Sequence, residues 1–203
     1  WFPGHMAKTR RLIKESLSMV DAVCEIVDAR IPESSRNPEL DEIVGAKPRI
    51  VLLNKCDLAD DKATARKIKE LESKGIVALP VDCRSGKGLE KFQGAVRELL
   101  KEKIKANTEK GMGGKALRVM VVGIPNVGKS TFINSFLGED ILPAYAIPCT
   151  AVINEVKWGA EKKAVLHFRN PLPDKIPDAV PAEALKHMNQ YKGQEIPPMD
   201  IPY

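Results

Sequence analysis

The stretch that most constrains this chain is Gly123-Ile124-Pro125-Asn126-Val127-Gly128-Lys129-Ser130, because of what stands on either side of it. Arg118 to Val122, within LRVMVV, reads as a buried strand, and STFINSFL, starting at Ser130, reads as a helix. The Gly-x4-Gly-Lys-Ser pattern therefore falls on a strand-to-helix turn, the context in which it becomes a phosphate site. Gly123 and Gly128 let the backbone bend so that successive N–H groups point inward, and the helix N-terminus adds its positive dipole end. Lys129 supplies a mobile charge for β- and γ-phosphates, and the Ser130 hydroxyl is a ligand for Mg²⁺. The binding residues expected here are Pro125, Asn126, Val127, Gly128, Lys129, Ser130 and Thr131.

Upstream, two apolar runs each end in polar residues. Ala22 to Val27 leads into Asp28-Ala29-Arg30, and Arg49 to Leu53 leads into Asn54-Lys55-Cys56-Asp57. Both read as buried parallel strands that deliver polar groups at their C-terminal ends, where open α/β sheets bind ligands. In the Asn-Lys-x-Asp loop, Asp57 would accept hydrogen bonds from guanine N1–H and the N2 amino group, a pattern adenine does not offer. Asn54 would tie the loop to the phosphate loop, and the Lys55 stem would cover the ring. A base without those donors would leave the carboxylate unpaired. One helix (Asp60 to Lys74, inner face Ile68 and Leu71) and one strand (Ile76 to Val81) later comes DCRSGKG. Here Asp82, Cys83 and Arg84 stand where a second guanine loop belongs, with the Cys83 N–H facing O6. A helix from Leu89 to about Lys105 and the glycine-bearing linker NTEKGMGGKA (107–116) then lead back to the phosphate-loop strand.

Composition bounds the rest. With 203 residues, 43% of them hydrophobic, the chain buries one substantial core or one core with a small appendage. The net charge of +5 and a pI near 9.0 favour encounter with RNA or an anionic surface without identifying either. Cys24, Cys56, Cys83 and Cys149 stand singly with no Cys-x-x-Cys spacing, which points to reduced, cytoplasmic thiols rather than a zinc site or a disulfide framework. No apolar run reaches the roughly 20 residues of a membrane span, so a membrane partner is not expected. WFPGHMAKTRR has no apolar signal core, and the chain's start without Met reads as a trimmed terminus. TRRLIKESLSM (9–19) reads as an amphipathic helix.

From Trp1 to about Asn134 the chain resembles the circularly permuted GTPases of ribosome assembly, and among them the ribosome biogenesis GTPase A group. The residues that carry the resemblance are WFPGHMAKTRR, Asp28-Ala29-Arg30-x-Pro32, NKCDL, DCRSGKG and GIPNVGKST, in that group's order and at its spacing. Permutation moves the chain ends but keeps the strand arrangement, so Asp57 and Lys129 are expected to meet one nucleotide. The resemblance implies GTP and GDP as ligands, large-subunit assembly with a ribosomal precursor (rRNA) as partner, a catalytic role for His5 beside Lys129, and potassium at Asn126.

The last third resembles a different group. FINSFLGEDILPAYAIPCTAVINEVKWGAEKKAVLHF is similar to bacterial dynamin-like GTPases, with Thr150 as the candidate switch ligand of Mg²⁺. Ala151 to Trp158 and Lys163 to Phe168 read as a hairpin around Gly159-Ala160-Glu161. No Asp-x-x-Gly follows Ser130; HFRNP stands where the permuted group has that tetrad, so hydrolysis and γ-phosphate switching are expected to be impaired even where binding survives. The sequence thus reads as a mosaic joined near GKSTFIN, or as a shortened chain. The expected fold is an α/β P-loop GTPase domain over residues 1–169, with a base-binding half 1–106 and a phosphate-binding half 117–169. Its mostly parallel six-stranded sheet carries the hairpin at an edge and helices on both faces, and a Pro-rich irregular tail (170–203), with one helical candidate at Pro181 to Tyr191, follows. Three functions stay open: a ribosome-assembly GTPase, a nucleotide-binding module with impaired hydrolysis, and a fragment of a dynamin-like membrane GTPase.

Overall fold

The computed structural model describes residues 10–11, 13–138, 164–166, 182–191, 195–197 and 199–201. The chain divides into two compact units, Trp1–Val152 and Ile153–Tyr203. In the first, β1 (Ala22–Asp28), β2 (Arg49–Asn54), β3 (Val77–Pro80) and β4 (Val119–Val122) form one sheet in the order β3-β2-β1-β4. Every pairing in it is parallel, with Asp28 opposite Asn54 and Glu25 opposite both Val51 and Val122.

The alternation of side chains along β1 and β2 explains why helices cover both faces. Ala22, Cys24 and Ile26 share a face with Ile50 and Leu52, and they pack with Phe92, Val96 and Leu100 and with Phe132 of the phosphate-loop helix. Val27, Val51 and Leu53 face the other way, onto Leu71 of the helix Asp61–Ser73. Val23 joins Leu40 and Val44 of the short helix Glu39–Val44, with Ile13 and Leu17 from helical residues 13–17 against them. Helix Asp61–Ser73 starts where Asp60 places a carboxylate oxygen 2.6 Å from the Ala63 N–H, a side-chain N-cap.

β1 also buries a charge. Glu25 is 1% exposed in a strand that otherwise reads as apolar, and its carboxylate accepts from Arg36 Nε and Nη2, both at 3.2 Å. Arg36 and Arg49 each continue to Asp41, so the buried carboxylate belongs to a paired network, the condition under which such a group is tolerated.

The sheet departs from the expected six strands. Among the described residues the parallel sheet has four, and the second arm of the expected hairpin is not at its edge. Ala164–Leu166 (β5) instead pairs antiparallel with Met199–Ile201 (β6) in a two-stranded sheet of its own within the second unit. An unpaired edge takes whichever strand lies within reach, and the extended residues near the chain's end satisfy it. The first arm, 151–158, lies outside the described residues. The helix expected over 89–105 is a 3-10 turn, Leu89–Lys91, followed by helices Phe92–Leu99 and Lys101–Glu109 that meet at Leu100, and the second of these runs into the expected linker. In the second unit, Ala182–Gln190 is helical within the stretch read as tail.

Candidate nucleotide site

Because every strand of the main sheet runs the same way, the loops that follow β1, β2, β3 and β4 emerge at one edge whatever their order along the chain. Those four loops are Asp28-Ala29-Arg30, Asn54-Lys55-Cys56-Asp57, Asp82 to Gly88, and Gly123 to Ser130. The connection from β3 to β4 passes β2 and β1, which makes the β1–β4 neighbourhood the topological switch point of the sheet.

Asn54 is the hub of this edge. It is 3% exposed, and its Nδ2 donates to the Val127 carbonyl of the phosphate loop at 2.7 Å, across 73 positions of sequence. Its Oδ1 accepts from the Cys83 N–H at 2.9 Å. One amide thus joins the base loop, the second base loop and the phosphate loop. The Cys83 N–H, expected to face guanine O6, donates to Asn54 Oδ1. A buried amide oxygen requires a donor, and Cys83 supplies the one at hand; a guanine O6 would have to share it.

Lys55 reaches across the same edge. Its backbone is left-handed (φ 62), and its Nζ donates to Asp28 Oδ2 at 2.8 Å and to the Asn126 carbonyl at 3.1 Å. Asp57 lies in the 3-10 turn Cys56–Leu58 with its side chain exposed, open to a ligand. Asp82 accepts from the Arg84 and Ser85 N–H groups, at 2.9 and 3.3 Å, and these bonds, with that to the Ser85 side chain foremost, hold its carboxyl below the usual range. Arg84 is exposed on the same loop.

The phosphate loop has the backbone its sequence requires. At Gly123 (φ 154) a Cβ would come within 2.6 Å of the Ile26 carbonyl, and at Gly128 (φ 100) it would strike Asn54 Nδ2. Asn126 is left-handed without being glycine (φ 67), a conformation that asparagine tolerates better than most residues and that concentrates at functional loops. Gly128 caps the helix Lys129–Leu137, so Lys129, Ser130 and Thr131 form its first turn. Lys129 is half-buried and donates from Nζ to the Ile124 carbonyl at 2.7 Å; burial lowers its pKa. A half-buried ammonium that turns onto its own loop's carbonyl fits an anion well, since phosphate oxygens are stronger acceptors than that carbonyl.

The structure brings together Asn54, Lys55, Cys83, Asn126 and Val127 by direct bonds, with Asp57, Asp82, Arg84, Pro125, Gly128, Lys129, Ser130 and Thr131 on the same loops. His5 and Thr150 lie outside the described residues. Sequence reasoning had not assigned Asp28 to the site, although the Asp-Ala-Arg that ends β1 was its signal. Two thiols are protected: burial pushes Cys83, in the second base loop, up to about 12 and raises Cys24, inside β1, well above the ordinary thiol value. Thiolates are the reactive form, so iodoacetamide at pH 8 is expected to alkylate the half-exposed Cys56 before Cys24 or Cys83, with the order lost in guanidinium; peptide mass spectrometry reads it.

Comparison with known proteins agrees with the motifs. The Dynamin family matches residues 119–197. Ribosome biogenesis GTPase A of Priestia megaterium is 51% identical over 142 residues, covering 70% of this chain and 49% of the relative. Its Bacillus cereus counterpart is 48% identical over 141 residues, covering 70% and 48%. Mitochondrial ribosome-associated GTPase 1 of Mus musculus is 41% identical over 136 residues, covering 66% and 41%. A GNP-bound crystal structure of YlqF from T. maritima is 30% identical over 63% of this chain and 47% of that one, with a TM-score of 0.45. The chain spans about half the length of the curated relatives it matches. The resemblance to circularly permuted GTPases similar to ribosome biogenesis GTPase A is thus borne out, and a dynamin-type match overlaps its C-terminal side.

Proposed function

We propose that this chain binds GTP and GDP in one guanine site at the C-terminal edge of its parallel sheet and acts as a GTPase in assembly of the large ribosomal subunit. The observation that carries the binding reading is the Asn54 amide, bonded to both Val127 of the phosphate loop and Cys83 of the second base loop. The ribosomal part is supported by the relatives, whose names are Ribosome biogenesis GTPase A and Mitochondrial ribosome-associated GTPase 1.

In this reading Asp57 accepts from guanine N1–H and the N2 amino group, and the Lys55 stem lies against the ring. Lys129 exchanges the Ile124 carbonyl for β- and γ-phosphate oxygens, which draws its charge out of an apolar setting into a paired one. Ser130 and Thr150 would hold Mg²⁺, which when bound offsets charge between those phosphates; Asn126 would face a potassium ion. Hydrolysis would be in-line attack of water on the γ-phosphate, with His5 orienting the water and Lys129 stabilising the developing charge. The protein would work in the cytoplasm, and among the described residues no helix is long and apolar enough to cross a membrane.

A second reading, a nucleotide binder with impaired hydrolysis, is favoured by one observation: HFRNP (167–171) stands where the permuted group has its Asp-x-x-Gly. Equilibrium binding of fluorescent GDP and GTP analogues with Mg²⁺ and potassium tests both. Affinity falling roughly a hundredfold or more in Lys129→Ala and in Asp57→Ala is expected. Equal affinity for the two nucleotides with no phosphate release would select the binder, and absence of any binding would sink the guanine site. Salt-sensitive co-sedimentation with large-subunit particles tests the partner.

A further inference from the structure

Asp28 stands at the end of β1, and nothing in the proposed nucleotide chemistry uses it. Its backbone is fixed on both sides: the Asp28 N–H donates to Ser35 Oγ at 2.9 Å, and the next N–H, that of Ala29, donates to the Asn54 carbonyl at 2.7 Å. Its side chain is 6% exposed and fully engaged. Oδ1 accepts from the Arg30 N–H at 3.1 Å and from Arg30 Nε at 2.9 Å; Oδ2 accepts from Arg30 Nη2 at 2.7 Å and from Lys55 Nζ at 2.8 Å. The Arg30 guanidinium, more than any other group, holds this carboxyl well below the usual carboxylate range, so it is a full anion throughout the neutral range.

The second acceptor of that same Lys55 ammonium is the Asn126 carbonyl. A lysine stem has many rotamers, and an acceptor at each side of its head removes most of them. The Lys55 stem is the part that would lie against a guanine ring, and a ring leaves its slot only when the stem lifts. We propose that Asp28 is a positioning residue: through Oδ2 it fixes the Lys55 ammonium against the phosphate-loop carbonyl of Asn126, and so sets how long a guanine nucleotide stays bound. This rests on the reading of these loops as one guanine site. Arg30 has a distinct part, since by saturating Oδ1 it orients the carboxylate so that Oδ2 faces Lys55. The competing description is that Asp28 only ties the 28–35 turn together through Arg30 and Ser35, which would affect folding but not couple to Lys55.

Release of fluorescent GDP from the 203-residue chain, chased with excess unlabelled GDP in Mg²⁺, separates the two descriptions. Asp28→Asn and Lys55→Met are each expected to speed release about tenfold, the worth of one part-buried charge-assisted hydrogen bond. The double variant is expected to release no faster than the faster single, because both changes break the same contact. Release at the parental rate in Asp28→Asn, or a double variant that multiplies the two effects, would overturn the positioning role. Thermal melting checks that each variant is folded; if Asp28→Asn is not, Asp28→Glu, which sets the charge one methylene further out, takes its place in the cycle under the same criteria. Failure of the parent chain to bind GDP would overturn the guanine site and this role with it, whereas normal parental binding with unchanged release in the Asp28 variant overturns the role alone.

Discussion

Gly128→Ala is expected to remove measurable GDP binding and to lower the unfolding free energy by about 3 kcal/mol, from one added methyl group. Two separate effects add. The backbone at Gly128 sits at φ 100, which an L-residue adopts only under strain, worth about 1–2 kcal/mol. The new Cβ would also occupy the place of Asn54 Nδ2, so the amide must swing away from the Val127 carbonyl that it meets at 2.7 Å. A buried carbonyl left without a donor costs about 1–3 kcal/mol, and the loop it belongs to is the one that must present its N–H groups to phosphate. Gly94→Ala is the contrast. Gly94 lies exposed in the helix Phe92–Leu99, nothing stands within 4 Å of its added Cβ, and its φ is not positive, so alanine there is expected to stabilise by about 0.5–1 kcal/mol and leave GDP affinity unchanged. Chemical denaturation with a GDP titration on the same samples reads both. Wild-type affinity in Gly128→Ala would mean that the Asn54 bridge does not shape the phosphate loop.

The sequence made some of this legible and hid the rest for identifiable reasons. β1 and β2, at 22–28 and 49–54, were readable to within one residue, because parallel strands buried on both faces leave unbroken apolar runs that stop where polar loops begin. The gathering of the loops followed from the same fact, since parallel strands put their C-terminal ends on one edge in any chain order. What periodicity does not carry is which polar groups pair. Glu25 sits in the middle of AVCEIV, and only the fold shows that Arg36, from a loop, and Arg49, from the next strand, make its burial tolerable. The bond from the Cys83 N–H to Asn54 was hidden for a related reason: a side-chain amide 29 positions away reaches the same donor, and motif spacing contains no term for that. Asp28 was readable as a signature but not as a partner of Lys55, because the bond depends on two left-handed or bent loop ends meeting over 27 positions. The strand count failed where the chain leaves the main sheet, since a three-residue strand such as Ala164–Leu166 has too little pattern to say which edge it will pair with.

Asn54→Ala is expected to be as damaging as the glycine substitution, and Asn54→Asp to split its effect in two. The alanine variant orphans both the Val127 carbonyl and the Cys83 N–H, which Asn54 meets at 2.7 and 2.9 Å. Two buried unpaired groups together cost about 2–6 kcal/mol, and no other tie between the phosphate loop and the second base loop passes through a single side chain among the described bonds. Loss of detectable GDP binding follows, because the guanine and phosphate ends would no longer be held at a fixed distance. In Asn54→Asp one carboxylate oxygen still accepts from Cys83 N–H, now with a full charge that strengthens the bond. The other oxygen meets the Val127 carbonyl with no proton between them, so the phosphate loop is pushed off while the second base loop stays docked. Amide hydrogen exchange resolves the two ends: protection over residues 123–128 should fall in both variants, whereas protection over 82–88 should fall in Asn54→Ala and hold in Asn54→Asp. Equal loss at both ends in the aspartate variant would mean that the two loops are coupled by something other than this amide, and that Asn54 is one tie among several rather than the joint between the halves of the site.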